Sequence, residues 1–158
     1  CTCFNPVTVL HSASATALTQ LHCGSNQLKE LDLSPVPGLT WVNCSGNKLT
    51  ELDLSKVSQL TRLTCDANQL AELDLSPVSK LITLECGGNA LVKLDLSPVP
   101  KLTELQCWRN QLIELDLSSV PMLTMLVCTG NHLTKLDISP VPSLVNPFCD
   151  TSVQIHRN

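Results

Sequence analysis

Residues 60–80 read LTRLTCDANQLAELDLSPVSK, and this 21-residue unit recurs six times without a gap between Leu18 and Ser143. The units begin at Leu18, Leu39, Leu60, Leu81, Leu102 and Leu123. Their positions 1, 4, 6, 11, 14, 16 and 19 are apolar throughout, counting Cys as a small hydrophobe. The only substitutions in this pattern are Val42 at position 4 and Ile138 at position 16. Helical spacing fits poorly, because LxxLxC and LxxLDL each end in an alternating triplet. Alternation puts Leu and Cys on one face of a short strand. Pro and Ser at positions 17–20 interrupt any helix running into the next unit. Each unit therefore reads as two short extended segments joined by two turns.

One such coil cannot enclose a core, but stacked coils can, each touching only its neighbours. The expected fold class is a repeat solenoid, mainly β, with parallel strands and little or no helix. At about 4.8 Å per coil, seven and a half coils make a rod of about 35 Å. Three regions follow: a degenerate N-terminal coil or cap over 1–17, six repeats over 18–143, and a degenerate coil or cap over 144–158. In the last of these, Pro147 stands at position 4 and Ser152 where Asn stands elsewhere. Pro removes a ladder donor, so this strand suits an edge. Ends this short are expected to leave backbone and apolar surface for the tails, or another molecule, to cover.

The 158 residues are 43% hydrophobic, enough for a packed core, and only 3% aromatic, so that core is aliphatic. A net charge of −4 lacks the basic excess that phosphate backbones attract, which disfavours nucleic acid. No run approaches the roughly 18 apolar residues of a transmembrane segment. His11, His22, His132 and His156 are scattered, with no phosphate loop or nucleophile elbow. No catalytic residue, metal ligand or cofactor is assigned.

Nine cysteines suggest a disulfide framework at first sight. Seven of them, Cys23, Cys44, Cys65, Cys86, Cys107, Cys128 and Cys149, recur every 21 residues, which marks one structural position filled repeatedly. One thiol per coil gives a line and not the tetrahedron zinc requires. Parallel side-chain vectors hold neighbouring Cβ atoms too far apart for a bridge. Buried thiols are expected. Cys1 and Cys3 lie outside the series and are the better disulfide candidates. An N-terminal Cys also resembles the lipid-bearing residue of a mature bacterial lipoprotein, with a simple cleavage boundary as the alternative.

These residues resemble the leucine-rich repeat superfamily, whose LxxLxCxxNxL signature stands at LTQLHCGSNQL and LTRLTCDANQL. The LxxLDLS half is similar to the short 21-residue bacterial subclass called IRREKO. The resemblance implies a right-handed, curved coil with the LxxLxC strands on its inner face. It implies that Asn26, Asn47, Asn68, Asn89, Asn110 and Asn131 are buried and bond backbone groups of neighbouring coils. A buried amide beside a tight bend must indeed satisfy its own donors and orphaned backbone groups. The resemblance further implies a protein partner and display outside the cell.

The outward positions 3 and 5 of the strands vary while the core scarcely changes. They supply the candidate binding residues Trp41, Arg62, Glu85, Glu104, Met125, Val127 and Phe148, to which Trp108 is added as a second aromatic anchor. Met125, Val127 and Phe148 are expected to cluster near the C-terminal end, exposed or covered by residues 151–158. The Asp column (Asp32, Asp53, Asp74, Asp95, Asp116 and Asp137) is open to two readings, bound cations or local turn bonds to the following Ser. The Thr column at position 2 invites an ice-binding reading, though Ile82 interrupts it. The expected function is a non-enzymatic extracellular or cell-surface protein that contacts a protein partner. Copies of itself joined head to tail in a filament are the alternative, and an ion- or ice-binding solenoid is a further one.

Overall fold

A computed structural model describes residues 9–10 and 17–157. Residues Cys1 and Cys3, and with them the lipid and disulfide expectations, lie outside the described part. The strands are β1 (Val9–Leu10), β2 (Gln20–His22), β3 (Glu30–Leu31), β4 (Trp41–Asn43) and β5 (Arg62–Thr64). They continue as β6 (Thr83–Glu85), β7 (Glu104–Gln106), β8 (Met125–Val127), β9 (Lys135–Asp137) and β10 (Gln154–His156). There is no helix among the described residues. The result is a parallel-strand solenoid whose coils are the 21-residue units.

Six of the strands form one parallel sheet in the order β2-β4-β5-β6-β7-β8. Each pairs with the strand one unit away, as in Trp41 opposite Arg62 and Arg62 opposite Thr83. The middle residue of each triplet points inward, and the Cys that follows it points inward too. Leu63, Cys65, Leu84, Cys86, Leu105 and Cys107 all have 0% exposure. Together with the Leu and Val of positions 1, 11, 16 and 19 they make one core running along the solenoid. Each fully buried Leu contributes on the order of 1.5–3 kcal/mol, most of it offset by chain entropy.

The turn after LDL is built on the Val at position 19. In the third unit Val78 N–H donates to Leu75 O at 3.0 Å and Leu81 N–H donates to Val78 O at 3.0 Å. The same pair of short bonds recurs around Val57, Val99, Val120 and Val141. A buried Val thus anchors two consecutive turns, and the Ser and Pro around it stay at the surface.

The opposite bend, at position 8, requires a left-handed backbone in every repeat. Gly46, Gly88 and Gly130 occupy it with φ of 65°, 61° and 71°, and Ser25, Ala67 and Arg109 do so with φ of 57°, 52° and 48°. Gly takes this conformation without steric cost, whereas L-residues do not.

The second extended segment differs from the sequence expectation. It forms ladders only toward the two ends, where β3 pairs with β1 and β9 pairs with β10. In the coils between, each LDLS closes on itself, with the Ser N–H donating to the Asp two residues earlier. That local bond uses the Ser donor within its own coil, away from any neighbour.

Candidate functional site

The outward residues of β2 and β4–β8 form two parallel rows on the sheet. Their spacing follows from the ladder, so side chains 21 residues apart stand side by side. At one end of the rows, Trp41 is half-buried and meets His22 in a T-shaped contact, with ring centroids 4.2 Å apart and planes at 81°. The Arg62 guanidinium lies 5.1 Å from the Trp41 ring centroid. Arg62 Nη2 also donates to Glu85 Oε1 at 3.0 Å, with Arg62 about half exposed and Glu85 mostly buried. Trp41, Arg62 and Glu85 thus form a connected line across three coils. The indole N–H of Trp41 is buried with no acceptor among the described residues, so packing and ring contacts hold the ring. Glu104 is half-buried in the row of Trp41 and Arg62.

The other end of the rows is apolar. Met125 is 40% exposed, Val127 is half-buried, and Phe148 is 68% exposed. Phe148 lies beside Val127 through a parallel bridge, and its N–H donates to Leu126 O at 2.9 Å. The three side chains therefore share one surface. The tail does not cover it. Instead β10 pairs with β9 on the LDL flank, and Arg157 Nη2 donates to Val145 O at 2.5 Å.

Trp108 lies elsewhere. It follows β7 at position 7, in the bend, and its ring rests on the preceding coil at Gly87. A Cβ added to Gly87 would sit 2.3 Å from Trp108 Cε2. The structure does not bring Trp108 and Trp41 together.

The amides from Asn47 to Asn131 tie coil to coil; Asn47, Asn68 and Asn110 are buried, whereas Asn26, Asn89 and Asn131, expected to be buried as well, are half-buried. Asn68 Nδ2 donates to Cys44 O at 3.1 Å and Cys65 O at 3.0 Å, while its Oδ1 accepts Leu49 N–H at 3.1 Å. Asn47, Asn89, Asn110 and Asn131 repeat this set, and Asn26 donates to Cys23 O at 3.0 Å. Between these amides run the thiols of Cys23, Cys44, Cys65, Cys86, Cys107 and Cys128, all buried. Burial raises the Cys44, Cys65 and Cys86 thiols well above their ordinary value and pushes Cys107 up to about 12. Such thiols stay protonated and weakly nucleophilic. No group of three His, Cys, Asp or Glu among the described residues could hold a metal ion.

The Asp column bonds locally. Asp32, Asp53, Asp74, Asp95, Asp116 and Asp137 each accept the N–H of the Ser two residues on, at 2.8–2.9 Å. These bonds, with the Ser hydroxyls, hold Asp53, Asp95 and Asp116 below the usual carboxylate range, and the Ser139 hydroxyl and N–H do the same for Asp137. A cleft of about 700 Å³ lies on this flank, lined among others by Lys93, Ile113, Asp116 and Asp137. Thr column hydroxyls are also engaged: Thr40, Thr61, Thr103 and Thr124 each donate to the backbone carbonyl one coil back, at 3.0–3.3 Å.

Several features escaped sequence reasoning. Asp66 accepts the Gly87 N–H at 2.5 Å, and its burial pushes its carboxyl up to about 6. Val92 and Ile113 are exposed apolar residues at position 12, a column that carried no recognised signal, and Ile155 is exposed beside Leu136 in the β9–β10 pair. The left-handed bend did carry one, since Gly recurs at position 8 in alternate units.

The solenoid is similar to several solved structures. The functional domain of InlJ from Listeria monocytogenes, described as including a cysteine ladder, is 30% identical over 98% of this chain, with a TM-score of 0.65. A leucine-rich-repeat protein of Leptospira interrogans superposes with a TM-score of 0.81 at 23% identity over 96% of this chain. An internalin C2 from Listeria monocytogenes is 25% identical over 89% of this chain and 72% of its own, with a TM-score of 0.63. This chain spans 44% of the InlJ chain and 42% of the Leptospira chain. No family model matches the chain, and no curated protein does.

Proposed function

We propose, from the premise that this chain is a leucine-rich-repeat protein with 21-residue repeats, that the outward face of its parallel sheet recognises a protein partner. The observation that carries this reading is the uncovered apolar end, where Met125, Val127 and Phe148 stand together on a regular sheet. Exposed apolar side chains in a group lose water when a partner seats on them. The Trp41–Arg62–Glu85 line adds pre-ordered polar contacts, and little rotamer freedom remains for binding to remove. Glu104 lies between these two ends, and Trp108 would contribute at the bend. Catalysis has no part in the proposal. The Asp and Thr columns are occupied by bonds within the chain, which weighs against the ion- and ice-binding alternatives.

Display outside the cell is part of the same proposal. It is supported by the similarity to two Listeria monocytogenes proteins, InlJ and the internalin C2. Protease treatment of intact cells of the source organism would remove a displayed chain and leave an internal one untouched. The surface itself is tested by affinity capture with the wild-type chain beside Trp41→Ala, Met125→Asp and Phe148→Asp. The affected side chains are outward, so the fold should persist, as circular dichroism would verify. A protein retained by the wild type and lost from the variants supports the surface. Equal retention by all four refutes it. Sedimentation over a range of concentrations distinguishes a different protein from copies of this chain as the partner.

A further inference from the structure

The cysteine column changes character at its last step. Cys128 Sγ and Cys149 Sγ are 2.9 Å apart, closer than non-bonded sulfurs ordinarily sit. Along Cys44 to Cys107 the thiols stand in register without such a contact among the described residues. The reason lies in how the seventh coil is held. In the earlier bends the N–H at position 8 donates to the backbone carbonyl at position 7 of the next coil, as Arg109 N–H does to Thr129 O at 2.7 Å. At the last bend Gly130 N–H donates instead to the Asp150 side chain, at 2.8 Å to Oδ2. A carboxylate reaching across in place of a carbonyl lets the backbone after Cys149 depart from the repeat path. Ser152 also stands where Asn pins the Cys carbonyls of earlier coils. Cys149 is thereby free of the constraint that keeps the other thiols parallel.

We propose that Cys128 and Cys149 are a disulfide-forming pair that clasps the seventh coil to the sixth. A disulfide needs the sulfurs at about 2.05 Å, so closure is a movement of about 1 Å. Cys149 is partly exposed and Cys128 is buried, which assigns their roles. The hydrogen bond from Cys128 holds the Cys149 thiol below its ordinary value, while the same bond and burial push Cys128 up. The oxidant is a small-molecule disulfide of the oxidised glutathione class. The Cys149 thiolate attacks one of its sulfurs, forming a mixed disulfide and expelling one glutathione thiolate, which takes up a proton. Cys128 then attacks Cys149 Sγ, its proton passing to the second departing glutathione. Two protein thiols are oxidised and one small disulfide is reduced to two thiols. Because Phe148 adjoins Cys149, the clasp would fix Phe148 beside Val127; that consequence, unlike the clasp itself, rests on the proposed interaction surface.

The test is covalent and needs no partner. The native full chain is incubated with oxidised glutathione, quenched with N-ethylmaleimide, digested and mapped by mass spectrometry. The expected result is a peptide cross-link between Cys128 and Cys149, with Cys44, Cys65, Cys86 and Cys107 alkylated only after denaturation. Cys128→Ser should instead accumulate glutathione on Cys149, and Cys128→Ala serves if the serine variant does not fold. Wild-type chain in which Cys149 stays a thiol, or stops at the mixed disulfide, overturns the proposal.

Discussion

A single amide illustrates how little separates a stacked coil from an unstacked one. Asn68 is 8% exposed and bonds three carbonyls and one N–H belonging to two different coils. Truncation to Ala would leave Leu49 N–H buried without its acceptor, at a cost of about 1–3 kcal/mol, whereas Cys44 O and Cys65 O keep the Asn47 and Asn89 donors. Asn68→Ala is therefore expected to lose about 1–3 kcal/mol in a urea unfolding experiment. A loss below about 1 kcal/mol would show that water replaces the amide. The neighbouring thiols fill space of the right size between amides, and their raised proton affinity keeps them chemically quiet. The sequence already pointed to Cys as an inward residue, because a side chain that recurs at one position among otherwise drifting ones is dictated by packing, and the resemblance to leucine-rich repeats implied the same of Asn. It carried no hint that the last thiol would leave the line.

The bend is the element in which backbone conformation and side-chain choice meet. Six repeats adopt the left-handed conformation at position 8, and only three use Gly there. Gly46→Ala is expected to cost about 1 kcal/mol, all of it conformational, since the added Cβ would lie an ordinary 3.5 Å from Ser25. Ala67→Gly should gain less than about 1 kcal/mol, because relief of strain is opposed by greater unfolded-state freedom. Thermal melts of the two variants check both signs. One residue earlier, Gly87 lies beneath the Trp108 ring. Gly87→Ala should expel the ring, red-shift its emission in a Trp41→Phe background and cost about 1–3 kcal/mol. Unchanged emission would mean that the ring does not rest there. Gly at position 8 in alternate units hints at the bend, whereas the Trp108 contact with Gly87 leaves no trace in the periodicity, which reports which positions are apolar and not which neighbours meet.

Across the whole molecule, two sets of carboxylates set opposing pH responses. Asp53, Asp95, Asp116 and Asp137 titrate below the usual range because Ser donors hold their ionised forms. Their contribution is complete above the unfolded value of about 3.9 and is lost as pH falls through the lowered folded values. Asp66 behaves in the opposite sense, since its folded value rises to about 6. The folded state holds that proton more tightly, so its contribution is complete below about pH 4 and is lost as pH rises to about 6. Stability is therefore expected to climb from pH 2 to pH 4 and then decline modestly toward pH 6. Asp66→Asn keeps an acceptor for Gly87 N–H and should abolish the decline. After discounting for partial exposure, its gain at pH 7 is about 1 kcal/mol. A chemical-denaturation series across this range, with both proteins, checks the shape; an identical decline in the variant would remove Asp66 as its source.

The coil length, the parallel stack and the division into inward and outward residues were all present in the 21-residue period. They follow from alternation and burial, which act on residue type alone and repeat wherever the type repeats. What the folded chain added lies in the departures from periodicity. The tail pairs with β9 and leaves Phe148 uncovered, Trp108 settles over Gly87 rather than joining Trp41, and Asp150 replaces a carbonyl so that Cys149 meets Cys128. Each of these depends on which particular neighbour lies one coil away and how the backbone turns to meet it. Such pairings are set by three-dimensional packing between non-identical side chains, and a repeating pattern carries no information about them.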